Sequence, residues 1–229
     1  MVQTPARAID PRASRGMFDH RYEAGAALDL PSDTRAHRVP LAIAAAPARP
    51  RFVTVPRESA EVYREVELDN PFGAPLLPGP CEVFVEGVLL TTTSLGEVGK
   101  GGTIALGLGV EDRLRVARNA RTDEQSAGLL GGATTVDHRV TIDLRSSLGR
   151  PVTVEVIDRV PVSDDDDIEI TRGGKPAPEP YEQVERGAPV RGGLRWRVPL
   201  APGGQASIEH TYRVKLSARN EIAGGNRRE

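Results

Sequence analysis

The sequence predicts an all-β protein made of two tandem antiparallel β-sandwich-like domains, the second immunoglobulin- or fibronectin-like. Three observations carry that expectation. The 229 residues include 19 prolines and 24 glycines spread along the whole chain, and no window sustains the i, i+3, i+4, i+7 apolar spacing of a long amphipathic helix. Cys81, Val83 and Val85 alternate with Glu82, Phe84 and Glu86, and Ile104, Leu106 and Leu108 repeat the rhythm after a glycine-rich turn, as a strand with two unlike faces requires. Val136, His138, Val140, Ile142 and Leu144 share one face while Thr135, Asp137, Arg139, Thr141 and Asp143 share the other, the contrast of a sheet with one wet side.

In chain order the pattern places strands near residues 37–43, 51–55, 62–69, 81–91, 103–108 and 113–118. Ser59–Arg64 starts like a helix, with an N-cap residue and helix formers, yet Val62, Val66 and Leu68 continue as an alternating run. It reads as a turn leading into a strand. Further strands fall near 134–145, 151–160, 167–171, 193–200 and 206–216. Pro151 opens one with Val152, Val154 and Val156 inward. Leu194, Trp196, Val198 and Leu200 pair through the Ala201-Pro202-Gly203-Gly204 turn with Ile208, His210, Tyr212, Val214 and Leu216. Trp196 is the expected core anchor, with Val140, Ile142, Val154 and Tyr212 around it.

These runs divide the chain into an N-terminal β domain over 1–118 with a loose start, a linker or crossing loop over 119–132, and a C-terminal sandwich over 133–229. The sandwich has the size of an immunoglobulin-like domain, roughly 100 residues, but the lone Cys81 excludes an intrachain disulfide. A loop at about 171–193, rich in Pro, Gly and Glu, is expected to be exposed and mobile.

Charge points to no partner class. The formal net charge is -2, 27% of residues are charged and 38% are hydrophobic, values of an ordinary folded protein rather than a disordered or nucleic-acid-binding one. There is neither an 18-residue apolar span nor the apolar core of a secretory signal. The default expectation is therefore a cytoplasmic protein, or an envelope-associated one if a leader was removed.

The segment Asn70–Arg118 carries a resemblance. Its wording, L-x-P-G-P-x-x-V-F-x-x-G, a polar turn, then L-x-L-G-V-x-x-x-L-x-V, resembles the C-terminal region of the mucoidy inhibitor A family, a region known as domain of unknown function 4139. Pro31-Ser32-Asp33 with His37 to Leu41 is similar to that family's upstream segment, and Leu194 to Leu200 with Tyr212-Arg213-Val214 is similar to its closing hairpin. Full-length members also carry an N-terminal domain and a coiled coil. The family name implies a link to suppression of mucoid exopolysaccharide, which is a phenotype rather than a mechanism.

Each candidate catalytic element lacks partners in the sequence. The nucleophile elbow G-x-S-x-G is absent. His37 follows Asp33 at a spacing that allows an acid–base pair, but an Asp bonding its own turn is the simpler expectation. His138 and His210 fall on predicted apolar faces of two strands and could approach each other. A metal site would need Glu209 or Asp137 as well, and both carboxylates alternate to the opposite face, so core histidines satisfied by backbone groups are expected. The run Asp164–Asp167 lacks the EF-hand spacing and reads as a solvated loop. Cys81 reads as a small buried hydrophobe, and Gly99, Gly101 and Gly102 as a turn with no phosphate-binding helix after it.

The expectation is a non-enzymatic binding or assembly module, without cofactor or metal, that engages a protein partner or itself through loops and strand edges. Carbohydrate binding is disfavoured by an aromatic content of 4%. The alternative is a hydrolase or metal-dependent enzyme using His37 with Asp33, or His138 with His210.

Overall fold

The computed structural model describes residues 22–126, 133–182 and 190–216. It is all-β, with no helix among the described residues. In chain order the strands are β1 (Arg49–Thr54), β2 (Tyr63–Asp69), β3 (Gly79–Val85), β4 (Val88–Leu95), β5 (Thr103–Val110) and β6 (Leu114–Ser126). The second half supplies β7 (Thr134–Ser146), β8 (Val152–Arg159), β9 (Ile168–Lys175), β10 (Glu179–Tyr181), β11 (Gly193–Leu200) and β12 (Gln205–Leu216). Among the described residues no helix is long and apolar enough to cross a membrane, a fact that says nothing of β-barrels.

The chain forms two compact units. Unit 1 comprises residues 1–48 and 67–105, and unit 2 comprises 49–66 and 106–229. This division differs from the expected boundary at 118 to 133, and pairing explains why. β1 lies beside β8 in parallel register, Phe52 opposite Val154, so an early strand completes the late sandwich. Residues 119–126, expected in a linker, continue β6 and pair with β7 from Leu114↔Ser146 to Ser126↔Thr134. The polar residues there sit on a long edge strand, where charge is tolerated on a wet face and deters wrong pairing. The rest of the expected linker, 127–132, lies outside the described residues.

Unit 2 is a β-sandwich. One sheet has the order β6-β7-β12-β9, and the other runs β10-β11-β8-β1-β2-β5, with the chain passing between units inside β2 and β5. β8 alternates buried Val152, Val154 and Val156 with outward residues, and β11 buries Leu194, Trp196, Val198 and Leu200. They meet Val116, Val140, Ile142, Leu144, Ile208 and Tyr212 from the facing sheet in one core. Trp196 is 3% exposed, and its expected neighbours Val140, Ile142, Val154 and Tyr212 belong to the same cluster. Its indole Nε1 donates to the Pro176 carbonyl at 2.9 Å, which satisfies the one polar atom that burial would otherwise penalise.

The loop expected at 171–193 is partly strand. β9 extends to Lys175 and pairs along β12, and β10 pairs with β11; residues 183–189 lie outside the described residues. Gly174 explains how β9 continues. Its φ is +140°, and a Cβ there would sit 2.4 Å from the Glu209 carbonyl oxygen and 2.6 Å from the His210 Cα. Gly174→Ala is therefore expected to cost more than about 1 kcal/mol, read as a lower urea midpoint with unchanged slope.

In unit 1 the expected strand 81–91 is a hairpin. Glu86 (φ 51°) and Gly87 (φ 81°) join β3 to β4, two left-handed residues that match the twist of a tight hairpin. Residues 37–43, expected as a strand, are not a strand and pair with no strand among the described residues. Pro40 supplies one reason, since it lacks an amide donor.

Candidate functional site

Asn70 anchors the loop that walls an apolar cleft of unit 1. It is 6% exposed, and its Nδ2 donates to the carbonyls of Ala74 (3.0 Å), Val98 (3.3 Å) and Gly99 (3.1 Å). Its Oδ1 accepts the Phe72 amide at 3.0 Å, and its own amide donates to Gly102 at 2.8 Å. One side chain thus fixes the Pro71–Leu77 loop against the Val98–Gly102 turn. Leu76 and Val98 close it with a reciprocal pair of backbone bonds, 2.8 and 3.0 Å.

The loop walls a cleft of about 550 Å³ whose lining includes Tyr22, Val39, Leu41, Phe72, Leu76 and Leu77. The Tyr22 hydroxyl donates to the Pro75 carbonyl, pinning the N-terminal segment across the loop. Beside Tyr22, Glu23 is the one ionisable residue in the lining. Leu41 is 48% and Leu77 62% exposed, apolar surface that costs free energy for as long as water covers it.

Next to the cleft segment, His37 Nε2 meets Asp33 Oδ1 at 2.8 Å. The pair that the sequence allowed but did not favour forms. Asp33 Oδ1 also accepts the Arg35 amide at 3.1 Å, the expected turn role. The bond to His37, then that amide, holds the Asp33 carboxyl below its usual range. Both side chains are about one-third exposed. No hydroxyl or thiol bonds His37 among the described residues.

His138 and His210 lie on β7 and β12 but do not form a joint site. In register, His138 faces Tyr212 and His210 faces Val140. His138 stacks on Tyr212 with ring centroids 4.3 Å apart and planes 12° apart, and its Nδ1 contacts Thr122 Oγ1 at 3.2 Å. Burial first, then the Arg57 charge, pushes the His138 pKa down, with Asp137 opposing. Asp137 itself is engaged with Arg213 at 2.6 Å.

His210 is 1% exposed, and its Nε2 meets Asp158 Oδ2 at 3.1 Å. The same oxygen accepts Arg118 Nε at 3.0 Å, and Oδ1 accepts the Arg159 amide at 2.8 Å. Asp158 is fully buried and Arg118 is 12% exposed. Burial pushes Asp158 up. The His210 bond, the Arg118 charge and the Arg159 amide together outweigh it and hold the carboxyl below its usual value. An ionised carboxylate only accepts, so Nε2 carries the proton in this contact. His210 Nδ1 is buried without a partner among the described residues, and the Trp196 ring lies 5.3 Å away. The histidines are therefore held by side chains rather than by the backbone groups expected. The network joins β8 of one sheet to β6 and β12 of the other, and fixes the register of the sandwich.

The acidic run and the glycines resolve into turns, and Cys81 into a strand. Asp164 pairs with Arg191 through both guanidinium nitrogens, at 2.8 and 2.5 Å, while Asp165 Oδ1 accepts the Asp167 amide at 2.9 Å. Gly102 donates to Gly99 across a turn at 3.0 Å, and Gly101 has φ 70°. Cys81 is half-buried in β3 opposite Thr93 rather than fully inside. Among the described residues no three His, Cys, Asp or Glu side chains converge as a metal site would need.

Sequence reading overlooked Asp158, Arg118 and Asn70. For Asp158 a signal existed: it continues the inward series Val152, Val154, Val156, and a carboxylate in a core position demands a buried cation or donor. Arg118 and Asn70 carried no such signal, since an Arg within a strand and an Asn just after one are ordinary surface residues.

A sandwich bound internally by its charged groups and a smaller β unit bearing an apolar cleft together define an all-β, two-unit protein. Residues 3–218 match the family described as domain of unknown function DUF4139, and the chain belongs to it. Comparison with curated proteins finds no match.

Proposed function

We propose that the protein is a non-enzymatic binding or assembly module that engages a protein partner, or another copy of itself, through the apolar surface of unit 1. The observation that carries this reading is the cleft of about 550 Å³ walled by Tyr22, Val39, Leu41, Phe72, Leu76 and Leu77. Its polar groups serve to hold its walls rather than to meet a reacting atom, and its open leucines gain from being covered. The commitment of His138 and His210 to internal contacts supports the same reading. Resemblance to the mucoidy inhibitor A family favours a partner tied to the envelope or to exopolysaccharide production.

The test is capture from cells of the source organism by wild type and by Leu77→Asp, with circular dichroism confirming the fold. A partner, or the chain itself, retained by wild type and lost by Leu77→Asp is the expected result. Equal capture by both proteins sinks the reading. A second reading, hydrolase or metal-dependent chemistry, is favoured by the His37–Asp33 contact of 2.8 Å. It requires stoichiometric metal after dialysis or a hydrolytic activity lost in His37→Asn. Neither is expected.

A further inference from the structure

We infer that residues 37–43 form an intermolecular β-strand, pairing antiparallel with the same residues of a second copy about a two-fold axis at Pro40. The inference rests on the binding reading above and names the occupant of the edge beside the cleft. The sequence pattern of 37–43 is that of a strand, yet the segment runs from Arg35 to Ala48 without turn or bend. Among the described residues, 36–48 have no backbone hydrogen bond. Every residue from Ala36 to Ala45 except Val39 is exposed, and Ile43 is 96% exposed. Among the described residues these amides and carbonyls have no protein partner, and an isoleucine stands almost free of the fold.

Proline decides which edge is usable. In an extended chain the amides of residues 37, 39, 41 and 43 point to one side and those of 38, 40 and 42 to the other. Pro40 removes a donor from the even side alone. The odd side keeps every donor and acceptor.

A second copy fits that edge in one register. With Pro40 opposite Pro40, Val39 faces Leu41 and His37 faces Ile43, and these four hydrogen-bonded pairs exchange their amide–carbonyl bonds without calling on the proline nitrogen. Val39 and Leu41 already line the cleft, so the two odd-numbered faces join as a continuous apolar surface that also covers Ile43. The area sets the strength. A stable interface takes about 800 Å² and 20–30 residues from each partner; a seven-residue ladder is smaller, and the exposed Leu77 beside it enlarges the contact only in part. The expected dimer is weak, with a dissociation constant between about 1 μM and 1 mM.

Sedimentation velocity over that concentration range is expected to show a reversible monomer–dimer equilibrium. Leu41→Pro, which deletes an odd-side donor, is expected to abolish it, whereas Ala42→Pro, which deletes an even-side donor, leaves it in place. Register is read separately in a Cys81→Ser background. Pro40→Cys places two thiols across a non-hydrogen-bonded pair with Cα atoms about 4.5 Å apart, within disulfide reach, and is expected to cross-link under mild oxidation. Ala44→Cys sets the thiols some 27 Å apart at about 3.4 Å per residue and is expected to stay monomeric. A monomer at 1 mM, equal effects of the two proline variants, or equal cross-linking of the two cysteine variants overturns the inference. If any of these is found while Leu77→Asp still abolishes capture of another protein, the binding reading survives without this occupant; if capture is also insensitive, both fail.

Discussion

Trp196→Ala is expected to lower the stability of unit 2 by about 3–5 kcal/mol, the range for emptying a core aromatic site. The residue is 3% exposed and sits in the middle of β11, whose partner β8 presents Val154 and Val156 beside it. The substitution leaves a void bounded by strands from both sheets, and a sandwich held by hydrogen-bonded ladders closes such a void only in part. Trp196→Phe separates the two contributions. It keeps most of the ring volume and deletes the bond from Nε1 to the Pro176 carbonyl, an exchange worth roughly 1 kcal/mol. Urea unfolding followed by far-ultraviolet circular dichroism reads both changes. A loss below about 1 kcal/mol for Trp196→Ala, the level of a surface substitution, contradicts the burial described here.

Asp158→Ala is expected to be as damaging, on the order of 3–5 kcal/mol, because it strands Arg118 and His210 inside the sandwich without their shared carboxylate. Asp158→Asn keeps the shape and loses the charge, so it isolates the electrostatic part. The pH dependence follows from the direction of the shift. The folded carboxyl is held below its value of 3.8 in the unfolded chain, so near and below 3.8 the unfolded state binds the proton more readily. Its contribution is fully present well above 3.8 and is lost as pH falls through the lower folded value. Wild type should lose stability more steeply than Asp158→Asn over that acid window. Parallel acid-unfolding curves for the two proteins would show that Asp158 is not ionised in the fold. Exposed carboxylates such as Asp33 and Asp164 titrate in the same range, and the difference between the two proteins cancels them.

The two substitutions probe different kinds of specificity. Trp196 supplies volume, which any well-packed apolar group can partly replace. Asp158 supplies a fixed acceptor geometry joining β6, β8 and β12, and a sheet slipped by one residue would leave a buried charge unpaired. The sandwich is held by both.

Period-2 alternation was legible throughout β7, β8, β11 and β12, because a strand buried on one face must repeat every second residue. The absence of long helices, the burial of Trp196 and the turn at Ala201–Gly204 followed from the same pattern. Strand partnership was not legible. Nothing local in Arg49–Thr54 announces that it lies parallel to Val152–Arg159, since parallel pairing joins segments about 100 residues apart through contacts that neither segment encodes alone. For the same reason the unit boundaries crossed the expected domains, and Asn119–Ser126 proved to be strand: polar composition reads as loop unless a partner strand is in view.

Side-chain chemistry divided along the same line. The Asp33–His37 contact spans four residues and was visible in the sequence. His210 with Asp158 and Arg118 spans both sheets, and only the closing of the sandwich brings them within about 3 Å. Residues 37–43 carry a strand's pattern, and only the fold shows that no strand among the described residues pairs with them. Local sequence sets which face of each strand is apolar, because alternation is a property of one strand alone. Pairing, burial of charge and the presence of an open edge are decided by the tertiary structure, because each depends on which distant segment arrives next to it.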